Sequence, residues 1–212
     1  MLFFIKFVFC FISILLAFAF HEFAHALTAY KLGDPTPKYE GRLTLNPLVH
    51  LDWAGAIVLM ISLFTTGGRV VLGWGKPVQY NSEAMKDPVL HGGMVAFAGP
   101  FANFVFAVIA GLPVKLGLIT IPIIQDAFTI LAGVNIALFI FNMIPFPPLD
   151  GWKVLQIFLP SSLTSKMRDL EASAGMIPMY CLMAFIFFFG RWILSPPYAM
   201  MMAVFVGRMP LQ

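Results

Sequence analysis

The sequence predicts an all-α polytopic membrane protein, a helical bundle with a short β-hairpin-like element at the cytoplasmic membrane edge. Of its 212 residues, 60% are hydrophobic and 11% charged, with a mean hydropathy of +0.88. A soluble domain of that length cannot hide so much apolar surface. The apolar stretches are continuous runs, not the alternating ten-residue segments of a membrane β-barrel. Lys and Arg gather in the breaks between runs, as they do beside membrane helices. The formal charge of +3 is too small to point to nucleic acid.

Leu2 to about Tyr30 reads as one long helix, apolar to Phe20 and then carrying HEFAHALTAY. Lys6, the apolar run and small residues at Ala17 and Ala19 imitate a secretory signal. Yet only one basic residue precedes most of the run, and cleavage there would strand the HEFAH motif at a new end, so the segment reads as a retained helix. Gly33, Asp34, Pro35 and Pro37 end it. Lys38 to Asp52 alternates polar and apolar residues around Arg42–Leu45 and predicts a hairpin or extended segment. Ala54 to Phe64 is apolar but about half the 20 residues a span needs, which predicts a re-entrant or tilted piece.

Thr65 to Pro88 reads as a polar loop. Leu90 to Leu112 and Ile119 to Ile144 read as spanning helices, and PFPPLDG then breaks the helical pattern. A polar stretch from Pro160 to Glu171 precedes a further span, Met176 to Leu194, and a short apolar tail, Ala199 to Val206. Cys10 and Cys181 lie far apart in apolar segments and read as small hydrophobes, not a disulfide. Lys31, Lys38 and Arg42 follow the first helix, and Lys153, Lys166 and Arg168 follow the PPLDG break. The positive-inside rule therefore places both motif-bearing ends on the cytoplasmic side, provided that the Ala54–Phe64 segment returns to that side.

The chemistry sits in His21-Glu22-Phe23-Ala24-His25, an H-E-x-x-H on a helix. A four-residue spacing puts His21 and His25 on one face, where both imidazoles can reach one zinc ion. Glu22 lies beside them, placed to take a proton from an attacking water. Ionisable side chains in an apolar segment cost about 2.5–3.5 kcal/mol each on insertion scales, which weighs against an accidental grouping. Asp150, after Pro145, Pro147 and Pro148 and before Gly151, fits a carboxylate ligand. It fits equally well as the cap of a following helix, and spacing alone leaves the two roles open.

HEFAH in an apolar helix, followed far downstream by N-x-x-P-x-x-P-L-D-G (Asn142 to Gly151), resembles the site-2 protease family of intramembrane zinc metalloproteases. AGPFAN (Ala98 to Asn103) resembles that family's G-P-x-x-N element. NPLVHLD (Asn46 to Asp52) and GWGKPV (Gly73 to Val78) resemble its compact subgroup without PDZ or CBS domains. The resemblance covers roughly residues 1–160 and implies one Zn2+ per chain held by His21, His25 and Asp150, with Glu22 as general base. It also implies that Asn142 helps to position or polarise the substrate, and that a β-like element over Tyr39 to His50 pairs with an unwound substrate strand.

These expectations describe a single intramembrane metalloprotease domain over residues 1–212, with a catalytic core of about 1–160 and C-terminal transmembrane segments at about 176–207. It would act in the cell membrane on transmembrane proteins or peptides, hydrolysing bonds within or near their spans, as in regulated intramembrane proteolysis. Its surroundings are the lipid bilayer; a regulatory membrane partner or an oligomer stays open. The contrasting reading is a non-catalytic zinc-binding pseudoprotease scaffold, which would not need Glu22. His50 reads as a satisfied loop histidine before a second-shell or ligand role, His91 as interfacial, and Asn103 as a hydrogen bond between helices.

Overall fold

The computed structural model describes residues 2–67, 71, 73–175 and 177–207. Three of its helices are long and apolar enough to cross a membrane: α1 (Leu2–Lys31), α4 (Pro88–Lys115) and α5 (Pro122–Asn142). Between α1 and α4 come the single-turn α2 (Thr36–Tyr39) and the 14-residue α3 (Trp53–Thr66), which is too short to span upright. After α5 follow α6 (Asp150–Gln156), α7 (Ser161–Ala174) and α8 (Ile177–Phe205). α8 bends by 69° between Ile177–Ile186 and Phe188–Phe205, and counts as a fourth span if both arms belong to one crossing. Residue 176, where the sequence placed the start of this span, lies outside the described residues.

Local chemistry sets the helix ends. Asp87 caps α4 by accepting from the backbone N–H groups of Val89 and Leu90, with Pro88 at the first helical position. Asp52 caps α3 through Gly55 N at 2.8 Å, and Gly67 closes that helix at φ 64°. α4 is the central element and packs on α1, α5, α6 and α8. Its far half forms a small-residue core with α5 and α8, comprising Ala107, Ala110, Val114, Ala132, Ile136, Met202 and Val206. Small side chains let membrane helices approach closely, which stands in for the hydrophobic drive that lipid does not supply. A second cluster joins α1 to α3 through Ile14, Leu59 and Leu63. Phe101, Ile109, Ile12 and Phe188 point outward, as a lipid-facing surface requires.

Two expectations change. No β-hairpin forms over Lys38–Asp52; among the described residues that segment holds the end of α2, turns and a single 3-10 turn, Pro47–Val49. The backbone there is satisfied locally and by side chains. Arg42 donates to Val49 O at 2.7 Å, Asn46 accepts from Leu48 N, and His50 Nε2 reaches Thr44 O. What remains of β structure is one isolated antiparallel bridge, Leu51 to Gly75, with Lys76 N donating to His50 O at 2.9 Å. The polar stretch from Pro160, to which the sequence assigned no element, folds as the helix α7, and the apolar tail Ala199–Val206 continues α8 through Phe205.

Candidate metal centre

α1 carries His21 and His25 one turn apart, with His21 ten residues before the helix end. At 1.5 Å per residue that is about 15 Å from the end, well inside a span. α4 starts on the side where α1 ends, and α5 returns to it. The turn after α5 then lays the first residue of α6, Asp150, against both imidazoles. Gly151 makes this seating feasible: a Cβ there would lie 2.6 Å from the Met143 carbonyl carbon and press on the carbonyls of the preceding turn.

Three donor atoms converge. His21 Nε2 and His25 Nε2 are 2.9 Å apart, and Asp150 Oδ2 lies 3.2 Å from the first and 3.4 Å from the second. Tetrahedral coordination with bonds of about 2.0–2.1 Å requires donors spaced about 3.3 Å apart, so this triangle is the face of a zinc-sized site. Two imidazoles and a carboxylate form a donor set suited to zinc. His21 and His25 are buried, and Asp150 keeps about a fifth of its side chain exposed. Burial would raise the Asp150 carboxyl, but while the facing imidazoles carry protons on Nε2 their charge and hydrogen bonds more than offset this and hold it well below the usual carboxylate range.

Each imidazole is oriented from behind. His21 Nδ1–H donates to Asn103 Oδ1 at 2.7 Å, and His25 Nδ1–H donates to Val95 O at 2.7 Å. Both acceptors belong to α4, and with both Nδ1 atoms protonated each Nε2 lone pair is left for a metal. Asn103 is anchored in turn, donating to Ala17 O at 3.1 Å and Asn135 Oδ1 at 2.9 Å, while Asn135 donates to Leu131 O at 2.8 Å. Neither asparagine has any exposed surface, and this chain satisfies both across α1, α4 and α5. Gly99 completes the cradle: a Cβ there would fall on the His25 ring and 2.8 Å from His21 Cε1.

Glu22 points to a different partner. Its Oε2 accepts the backbone N–H of Val78 at 2.8 Å, from the segment 76–81, which has no regular secondary structure. Sequence reasoning missed this bond, since nothing in the sequence pairs a helix glutamate with a loop amide 56 positions on. It also missed Asn135, and it read Asn103 only as an interhelical contact. Asn142, expected near the reaction centre, donates from Nδ2 to Leu138 O of its own helix at 3.1 Å. His50 is fully buried in the loop it braces through Nε2 and does not join the His21–His25–Asp150 group, but it is not the fully satisfied histidine expected, since its Nδ1 makes no hydrogen bond.

Comparisons with known proteins agree in kind. The family model described as Peptidase family M50 matches residues 114–188, a stretch that includes Asp150. The chain is 35% identical over 195 residues to "Putative zinc metalloprotease YwhC" of Bacillus subtilis (strain 168), covering 87% of this chain and 83% of that protein. It is 29% identical over 143 residues to "Putative zinc metalloprotease Rip2" of Mycolicibacterium smegmatis, covering 67% of this chain but 54% of Rip2. The Rip2 of Mycobacterium tuberculosis (strain ATCC 25618 / H37Rv) matches at 26% over 145 residues, with the same coverage. No solved structure matches the chain. Similarity running through nearly the whole of this chain and most of YwhC places it in peptidase family M50, the site-2 protease family that its motifs resemble.

Proposed function

We propose that this chain is a zinc-dependent intramembrane endopeptidase that hydrolyses peptide bonds within or near transmembrane segments. The observation that carries this reading is the approach of His21 Nε2, His25 Nε2 and Asp150 Oδ2 to within 3.4 Å of one another among apolar helices. His21, His25 and Asp150 would hold one Zn2+, which when bound supplies Lewis acidity to the attacking water and the scissile carbonyl. The chain's own residues do the rest. Val78 N–H fixes one Glu22 oxygen, leaving Oε1 to take the proton from the attacking water and return it to the leaving amine.

Asn142 stands in the last turn of α5, eight residues before Asp150. Its carboxamide keeps one N–H beyond the bond to Leu138, and that N–H is assigned to a substrate carbonyl. A peptide bond inside a transmembrane helix is shielded, so the substrate must be extended before attack, and the segment 76–81, which holds Glu22 through Val78, is the backbone beside which it would lie. The basic residues Lys31, Lys38, Arg42, Lys153, Lys166 and Arg168 assign this end of the bundle to the cytoplasmic side.

The test pairs metal analysis of the purified protein with cleavage of a model transmembrane peptide. About one zinc per chain is expected, with cleavage stopped by a chelator. Glu22→Gln should keep the zinc and abolish cleavage. Cleavage that survives Glu22→Gln overturns the mechanism. Zinc bound by a parent protein that cleaves nothing would favour a pseudoprotease scaffold.

A further inference from the structure

Beside the metal centre, a cavity of about 330 Å3 opens between the start of α4, α6 and α7. Its polar lining consists of Tyr80, Ser82, Lys153, Gln156, Arg168 and Glu171. One of these groups lacks the partner its burial calls for, and a second is a cation with no carboxylate paired to it. Gln156 is 6% exposed, yet its Nε2 makes no hydrogen bond. Buried amides are almost always satisfied; this one is closed off beside the cavity that its residue lines, and a turn of the carboxamide into the cavity would give it a ligand group as partner. Lys153 Nζ donates to Tyr80 OH at 3.1 Å and sits 4.7 Å from that ring's centroid, with no carboxylate within ion-pairing distance among the described residues. Arg168, by contrast, is tied to Glu83, which leaves the Lys153 ammonium as the cation available to an incoming group. Glu171 also lines the cavity, close enough to act on Lys153 by charge but not paired with it, so an anion fits on the Lys153–Gln156 side.

Two elements run from the metal centre into this cavity. α6 places Asp150 at the metal site and Lys153 and Gln156 three and six residues further on, a rise of about 9 Å to Gln156. The segment 76–81 holds Glu22 through Val78, and Tyr80, two residues on, lines the cavity. A peptide extended through the metal centre advances about 3.3 Å per residue and reaches the cavity in two to three residues.

We propose that the cavity is a specificity subsite for an acidic side chain of the substrate, its carboxylate held between Lys153 Nζ and the Gln156 carboxamide two to three residues from the scissile bond. The subsite rests on the reading that a peptide lies at the metal centre, and its test separates the two. Binding is measured in neutral-lipid nanodiscs, in the Glu22→Gln protein so that no turnover intervenes. The probes are apolar transmembrane peptides with one Asp stepped along the flank, each beside its Asn twin.

At one or two positions the Asp peptide should bind about tenfold tighter than its twin, a difference in line with one charge-assisted contact. Lys153→Met should erase that preference, whereas removing an equal charge at the exposed Lys166 (Lys166→Ala) should leave it. Gln156→Leu should weaken it without lowering thermal stability, because the amide it removes has no partner to lose. Equal binding of every Asp and Asn pair, or a preference that survives both Lys153→Met and Gln156→Leu, overturns the subsite. So does a Lys153-dependent response to phosphatidylglycerol instead of peptide charge, which would assign the cavity to a lipid headgroup. Cleavage by the parent protein is scored separately: cleavage without acid preference removes only the subsite, and preference without cleavage removes only the protease reading.

Discussion

His21 Nδ1 lies 2.7 Å from Asn103 Oδ1, a contact that joins residues 82 positions apart in a part of the bundle with no exposed surface at the asparagine. The geometry makes Asn103 a positioning residue for His21. Its oxygen fixes the imidazole tautomer, and its nitrogen is fixed by Ala17 O and Asn135 Oδ1. Asn103→Leu keeps the approximate volume and removes the acceptor. Outer-shell losses of this kind typically weaken metal affinity 10–100-fold, and a drop of about that size is expected in a zinc competition titration. Asn103→Asp, which keeps an acceptor facing His21, should recover part of the affinity. Unchanged zinc affinity in Asn103→Leu would show that packing alone orients the ring.

Gly99 gives the second prediction. In a helix interior, Gly→Ala ordinarily stabilises by about 1 kcal/mol. Here the added methyl falls on the His25 ring and close to His21 Cε1. α4 and α1 are locked at this level by the bonds from His21 and His25, so relief by a rigid shift would break them. Overpacking of this kind costs about 1–3 kcal/mol. Gly99→Ala should therefore lose metal and melt lower, while Gly117→Ala, at a loop position with open space though a left-handed backbone, should keep its metal. Full zinc occupancy in Gly99→Ala would mean that the helices are less tightly keyed than their spacing shows.

Much of this was legible in the sequence, for physical reasons that can be named. HEFAH fixes two candidate ligands because helical geometry alone puts residues four apart on one face. The spans at residues 88–115 and 122–142 follow from apolar length, and the short α3 from its lack of it. The hairpin at Lys38–Asp52 did not follow, because alternation over four residues cannot reveal that Arg42, Asn46 and Thr44 satisfy the backbone locally. α7 was hidden by its polarity: a helix with little apolar content gives the same composition as a loop. The asparagine chain behind His21 and the amide beneath Glu22 depend on three helices and a loop meeting in space, and no spacing in one sequence encodes that.

The Glu22–Val78 bond gives the third prediction. A carboxylate acting as a base in an apolar span needs one oxygen held and the other free, since a freely rotating side chain spends little time within reach of the attacking water. Val78 provides the hold through its backbone, so the side chain at 78 can change without loss if the N–H remains. Val78→Ala should keep cleavage within a few-fold of the parent. Val78→Pro removes the N–H, in a segment without regular secondary structure that already carries Pro77. A loss of up to about 1000-fold in kcat is expected, part of the roughly 10²–10⁴-fold that a positioned general base contributes. Zinc content should stay unchanged, because the bond that is removed ends on Glu22 and not on His21, His25 or Asp150. If Val78→Ala and Val78→Pro lose activity equally, the role of residue 78 lies in its buried side chain, and the loop amide is not what aims Glu22. If only Val78→Pro loses activity, the segment over the site is a working part of the catalytic centre, and movements of that segment become a direct means of turning Glu22 on or off.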